Sequence, residues 1–202
     1  METELTFLKS QVNPHFLFNA LNGIHVQAEK YPDKVGDSIA LLSHLLRYQL
    51  YDGAKERVLL NREIDYLRNF LEFNKQRKNK MEINFKVDGR PNGITLPPFL
   101  FIPFIENAVK HGLNNREATF ITVLFKIETA TITFTVENSK PEKPIPSEVG
   151  GIGLPNVKRR LDLLYENKYE LDIETTATTY KVTLVLNIEQ YEMYHRGRRA
   201  NS

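Results

Sequence analysis

The spacing of apolar residues changes period at Met81, which restricts the chain to a helical first part joined to a mixed second part. Leu5, Leu8, Val12 and Phe16 recur at helical spacing, and Phe18, Leu21 and Ile24 continue an apolar surface beyond Pro14. Asn13 suits the N-cap and Pro14 the first helical position, where a missing N–H costs nothing. Pro32 biases Tyr31 away from helix, so Tyr31-Pro32-Asp33 ends this segment. Asp33 or Asp37 then caps a second helix through Ile39, Leu42, Leu45, Leu46 and Leu50, ended by Asp52-Gly53. Asn61 caps a third, with Glu63 and Asp65 in its positive first turn. Its apolar stripe is Ile64, Leu67, Phe70, Leu71 and Phe73, and it closes in the basic run 75–80. The pattern fits a helical hairpin followed by a connecting helix.

From Met81 the reading is different. Ile83, Phe85 and Val87 alternate with polar residues as in a strand, and 88–93 is a turn-rich link. Pro97-Pro98 opens a helix running to His111, with Gly112 at the C-cap position. Two β-branched runs, 120–128 and 131–136, flank Thr129-Ala130 in a hairpin. A proline-rich loop over 138–150 precedes a helix over 155–165 and strands near 169–174 and 180–188. The second half is therefore α+β, with strands paired largely antiparallel. The division expected is 1–80 for the helical region, 81–190 for the α+β domain, and 191–202 for a disordered tail with Arg196, Arg198 and Arg199.

The composition excludes several classes. A chain of 202 residues, 41% apolar and 26% charged, is long enough for a real core. Its 27 Lys+Arg against 25 Asp+Glu give +2, too little to argue for nucleic-acid or membrane binding by bulk charge. The absence of cysteine excludes disulfides and thiolate metal sites. The longest apolar run, Leu96 to Ile105, is broken by Pro97, Pro98 and Pro103, and no leader opens the chain. A cytosolic chain, or the cytosolic part of a longer one, is expected.

Three segments carry candidate chemistry. In the stretch Asn13-Pro14-His15-Phe16-Leu17-Phe18-Asn19, His15 falls in a first turn whose free N–H groups favour an anion, so a phosphate carried on the imidazole is well placed. The plainer alternative is a histidine that caps an ordinary core helix. Asn19, one turn on, can hydrogen-bond ring or phosphate, or simply be surface polarity. In the segment Glu106-Asn107-Ala108-Val109-Lys110-His111-Gly112, helical spacing sets Asn107, Lys110 and His111 on neighbouring faces. They offer an amide oxygen for Mg²⁺, a cation for phosphate oxygens and a further polar group; the alternative is a buried helix with a basic last turn. In Gly150-Gly151-Ile152-Gly153-Leu154-Pro155-Asn156, glycines before a helix start let backbone N–H groups face phosphates, although many such clusters are only tight turns. The segment does not match a Walker P-loop.

Together the three segments, in this order, resemble the LytS-type sensor histidine kinases, whose ATPase half belongs to the Bergerat (GHKL) group; the likeness runs from about Leu5 to Ile188. The resemblance implies a helical hairpin dimerisation region followed by a two-layer α/β sandwich ATPase domain. It implies His15 as the phosphorylated residue, Asn107 as the Mg²⁺ ligand, and Glu106 as a group that orients or activates others nearby. Lys110 and His111 face the phosphates, Gly151 and Gly153 form a lid hinge, and Asn156 lies near the nucleotide. Where the group usually carries Asp-x-Gly-x-Gly for the adenine amino group, this chain reads Val136-Glu137-Asn138-Ser139-Lys140. Asn138 falls nearest to that Asp, and its side-chain carbonyl can accept the same bond without charge assistance.

The expected function is thus ATP- and Mg²⁺-dependent phosphorylation of His15 in a homodimer, then transfer to an aspartate of a response-regulator receiver domain. The resemblance implies a sensor, usually with membrane spans, before residue 1. A non-catalytic dimeric scaffold that binds nucleotide weakly, and a protein-serine kinase of the same group, are the alternatives; no nucleic-acid partner is expected. His25 reads as surface and His44 as a packing or interface residue.

Overall fold

A computed structural model of the chain describes residues 14–76, 81–112, 119–140, 153–166 and 168–188. They divide into two compact units. One takes in the described residues up to 76 together with Leu96–Leu100, the other 81–95 together with the described residues from Phe101 on.

The first unit is helical. Helix α1 spans Pro14–Lys30, and after a 3₁₀ turn at Pro32–Lys34, α2 spans Val35–Arg47. Its last turn widens into a π-helical turn over Tyr48–Asp52, closed by the Gly53 N–H donating to the Tyr48 carbonyl at 2.8 Å. A two-residue strand, β1 at Val58–Leu59, leads into α3, Leu60–Gln76. The apolar stripe expected of α3 is buried throughout. Phe16 of α1 stacks on Phe70 at 5.9 Å between ring centroids and tilts against Phe73 at 6.4 Å, which fixes the first turn of α1 on α3.

Helix α1 begins at Pro14 as expected, whereas the starts of α2 and α3 differ from the sequence reading. Neither Asp33 nor Asp37 caps α2: its N-cap is Lys34, with no side-chain cap bond, because the preceding 3₁₀ turn already delivers a helical backbone. Asn61 does not cap α3 either. The helix begins one residue earlier, at Leu60, so Asn61 lies inside its first turn. Glu63 lies in the first turn of α3 as expected, and it is fully buried. His44 is exposed rather than packed, and His25 is exposed as expected, 4.0 Å from Glu29.

In the second unit, β2 (Met81–Asp88), β4 (Thr119–Ile127), β5 (Thr131–Ser139), β7 (Thr179–Asn187) and β6 (Tyr169–Thr175) form one five-stranded sheet in that order. Within this sheet β2 and β4 pair in parallel, and the other neighbours pair antiparallel. Along β4 and β5 buried residues alternate with half-buried ones, so one face carries Ile121, Val123, Phe125, Ile132, Phe134 and Val136 into a core. Two helices, α4 at Ile102–Gly112 and α5 at Gly153–Tyr165, touch one another, and α4 packs on β4 and β5. The Phe101, Phe125 and Phe134 rings meet at 4.8–5.0 Å at the centre. The fold is α+β, as the period change led us to expect, and two layers deep, as the resemblance implied.

Pro97-Pro98 does not open α4. A short strand, β3 at Thr95–Leu96, precedes a turn in which Phe99 takes φ 58, and the helix starts only at Ile102. The Phe104 N–H, donating to the Phe101 carbonyl at 3.2 Å, begins it. A left-handed residue between the prolines and the helix blocks continuous helical winding. Gly112 is the last helical residue rather than a residue beyond the end.

Candidate active site

Helix α4 is amphipathic at short range. Phe104, Ile105, Ala108 and Val109 are buried, whereas Glu106 and Lys110 are exposed and Asn107 half-buried. One turn therefore presents a carboxylate, an amide and an ammonium away from the core. Glu106 is open to solvent, yet enough protein surrounds its carboxyl for desolvation to raise its pKa above the usual carboxylate range. His111 belongs to the last turn of the same helix.

At the start of α5, Asn156, Lys158 and Arg159 are exposed, while Val157, Leu161 and Tyr165 are buried. Gly153 is the first residue of that helix, and Gly151 lies outside the described residues, as does most of the loop expected to act as a lid. Asn138 stands at the far end of β5, buried, its Nδ2 donating to the Ser139 carbonyl at 2.9 Å. It pairs with Ile121 on β4 and with Tyr180 on β7, whose hydroxyl burial also holds above its ordinary pKa. Tyr180 was not singled out in the sequence; its place opposite Asn138 is visible only once the strands are paired.

The second unit thus gathers Glu106, Asn107 and Lys110 on one helix and Asn156 on a helix that touches it. Among the described residues no cluster of three or more His, Cys, Asp or Glu side chains could hold a metal unaided. The donors on hand are one amide and one carboxylate. That set fits Mg²⁺, which takes few protein ligands and completes its octahedron with water and phosphate oxygens. His15 is the second residue of α1, in the helical unit.

Residues 3–81 match the family model described as Histidine kinase. Over that segment the chain is similar to the histidine kinases. It is 29% identical over 206 residues to the sensor histidine kinase/phosphatase LytS of Staphylococcus aureus strain MRSA252, and equally to that of strain Mu50. The match covers 95% of this chain and 35% of each relative, so the chain spans about a third of their length. Among solved structures, the histidine kinase domain of the Erythrobacter litoralis EL346 blue-light activated histidine kinase superposes with a TM-score of 0.53 at 17% identity, covering 95% of this chain and 96% of that one. At that identity the likeness is one of fold. Among the described residues no helix is long and apolar enough to cross a membrane.

Proposed function

We propose that this chain is the core of a sensor histidine kinase that phosphorylates His15 from ATP and passes the phosphoryl group to a receiver-domain aspartate. The observation that carries the reading is the polar turn of α4, with Glu106, Asn107 and Lys110 facing away from an otherwise apolar helix. ATP binds on this face of the 81–190 domain, with Asn156 near it and Asn138 accepting from the adenine amino group. Gly151 and Gly153 give the lid its hinge, and His111 with Lys110 meets the phosphate oxygens. Asn107 holds Mg²⁺, which supplies charge neutralisation on the phosphates.

In the transfer, a lone pair on a ring nitrogen of neutral His15 forms the N–P bond as the bond between the γ-phosphorus and the bridging oxygen breaks. ADP leaves with that electron pair, and the proton on the other ring nitrogen is released. Desolvation raises the pKa of Glu106 and so makes it a better proton acceptor than an ordinary carboxylate, which is the role proposed for it. Most of the acceleration comes from positioning.

The 1–80 region is proposed to make a homodimer by pairing helical hairpins; Phe18, Leu21, Ile39 and Leu50 are exposed apolar residues on α1, α2 and its π turn. A sensor segment outside this chain is proposed to anchor it at a membrane with the kinase core in the cytoplasm.

The test is incubation with γ-labelled ATP and Mg²⁺, beside His15→Gln and Asn107→Ala. Acid-labile, base-stable label on the wild type and on neither variant supports the kinase. No label and no ATP binding replaces it with a dimeric scaffold, and acid-stable label with a serine kinase.

A further inference from the structure

The carboxylate of Glu63 is fully buried inside the helical unit, and the kinase reading gives it nothing to do. It accepts the Tyr48 hydroxyl, and its same oxygen, Oε2, accepts the backbone N–H of Phe99 at 3.1 Å. Tyr48 begins the π turn that ends the second hairpin helix. Phe99 is the left-handed residue at φ 58, three positions before α4 begins. A bulky side chain holds such a backbone only where its surroundings over-determine it.

The surroundings do. The Phe99 ring sits edge-on to Tyr48 at 5.4 Å and to Tyr66 at 5.7 Å, and those two tyrosines stack at 4.4 Å. The Gln49 side-chain amide donates to the Tyr66 hydroxyl at 3.1 Å. Gly53, which closes the π turn, lies against the ring: a Cβ there would stand 2.4 Å from Phe99 Cε2 and 2.8 Å from the Gln49 carbonyl. The π turn, the buried carboxylate and the segment entering α4 therefore share one set of contacts. Burial first, and the Glu63 charge after it, keep the Tyr48 phenol far above its ordinary pKa, so it remains a donor at any working pH.

We propose that Glu63 is a positioning residue: by holding the Tyr48 hydroxyl and the Phe99 N–H on one carboxylate, it ties the end of α2 to the backbone that starts α4, and so sets Glu106, Asn107 and Lys110 for phosphoryl transfer. The catalytic half of this statement rests on the kinase reading; the tie itself does not.

The experiment is hydrogen–deuterium exchange on the full chain, paired with labelling from ATP at saturating concentration, for wild type, Glu63→Gln, Glu63→Leu and Gly53→Ala. Glu63→Gln keeps an acceptor oxygen and should stay near wild type in both readouts. Glu63→Leu removes the acceptor at similar volume, and Gly53→Ala drives a methyl into the Phe99 ring. Both should raise deuterium uptake over 97–112 and leave the sheet peptides over 119–139 unchanged. Labelling should fall about ten- to hundredfold, the scale of a misplaced catalytic group, while affinity for a fluorescent ATP analogue stays within about twofold, as for a group acting on the transition state alone. Unchanged uptake over 102–112 in both variants overturns the tie. An even rise across the sheet does so too, because it makes Glu63 a general stability residue. A wild type that takes no label overturns the kinase reading and the catalytic half with it, and the uptake pattern still decides the tie.

Discussion

Glu106 joins two properties that a side chain rarely has together: solvent reaches it, and desolvation still raises its pKa. A carboxyl whose folded pKa exceeds its unfolded value holds its proton more tightly in the folded state. Its stabilising contribution is complete below the ordinary carboxyl pKa and is lost as pH rises through the raised one. Glu106→Gln removes that loss. Thermal unfolding should therefore shift in favour of the variant between acid and neutral pH, by less than about 1 kcal/mol because solvent still screens the group. If Glu106 is the base, labelling of wild type should also rise with pH through its raised pKa, and the variant should lose that limb. A variant that keeps the limb would assign the pH dependence to another group, His15 first. Asn138 carries the opposite lesson at this scale. The amide is neutral, buried and already donating to the Ser139 carbonyl, so whatever it accepts is accepted without charge.

At the scale of elements, the apolar stripes and the start of α1 at Pro14 were legible, and the starts of α2, α3 and α4 were not. The buried stripe of α3 and the alternation in β4 and β5 follow from period alone, because burial of one face is what period encodes. Helix starts depend on which residue first turns helical, and here tertiary contacts decided it. Glu63 illustrates this: it sits between Leu60 and Ile64 on the buried face, a position its helical spacing could have shown, yet its charge suggested solvent. The turn at Phe99 had no sequence signal, since a left-handed phenylalanine contradicts every local preference. The hairpin helices leave a different mark. Phe18 is 65% exposed and Ile39 51%, too much for residues that serve the core of this unit. If they lie in a dimer interface, Phe18→Glu with Ile39→Glu should convert a dimer to a monomer in sedimentation, with no fall in the unfolding temperature of the monomer. A double variant that remains dimeric would move the interface elsewhere.

For the whole molecule, the sequence boundary at Met81 marks a change of local structure rather than a clean cut between units. The segment Leu96–Leu100 belongs to the helical unit although it follows β2 in the chain, so the backbone passes from the second unit to the first and back. Period could not reveal this, because the five residues are too few to carry one; Pro97 and Pro98 read as a break in the apolar run and as the start of a helix. The order of the three motifs was legible throughout, whereas which unit buries Leu96 and Leu100 needed the fold. The consequence is testable. A fragment beginning at Met81 retains both leucines, each 2% exposed in the whole chain, but lacks the helical unit that contains them. Each then forgoes about 1.5–3 kcal/mol of burial, which is recoverable by association with another copy. The fragment should self-associate in sedimentation at concentrations where Leu96→Lys with Leu100→Lys leaves it monomeric. A fragment that stays monomeric with both leucines intact would mean that the α+β unit covers them by itself. The tie between Glu63 and Phe99 would then be one of two alternative seats for this segment, and exchange over 97–112 would differ between fragment and full chain.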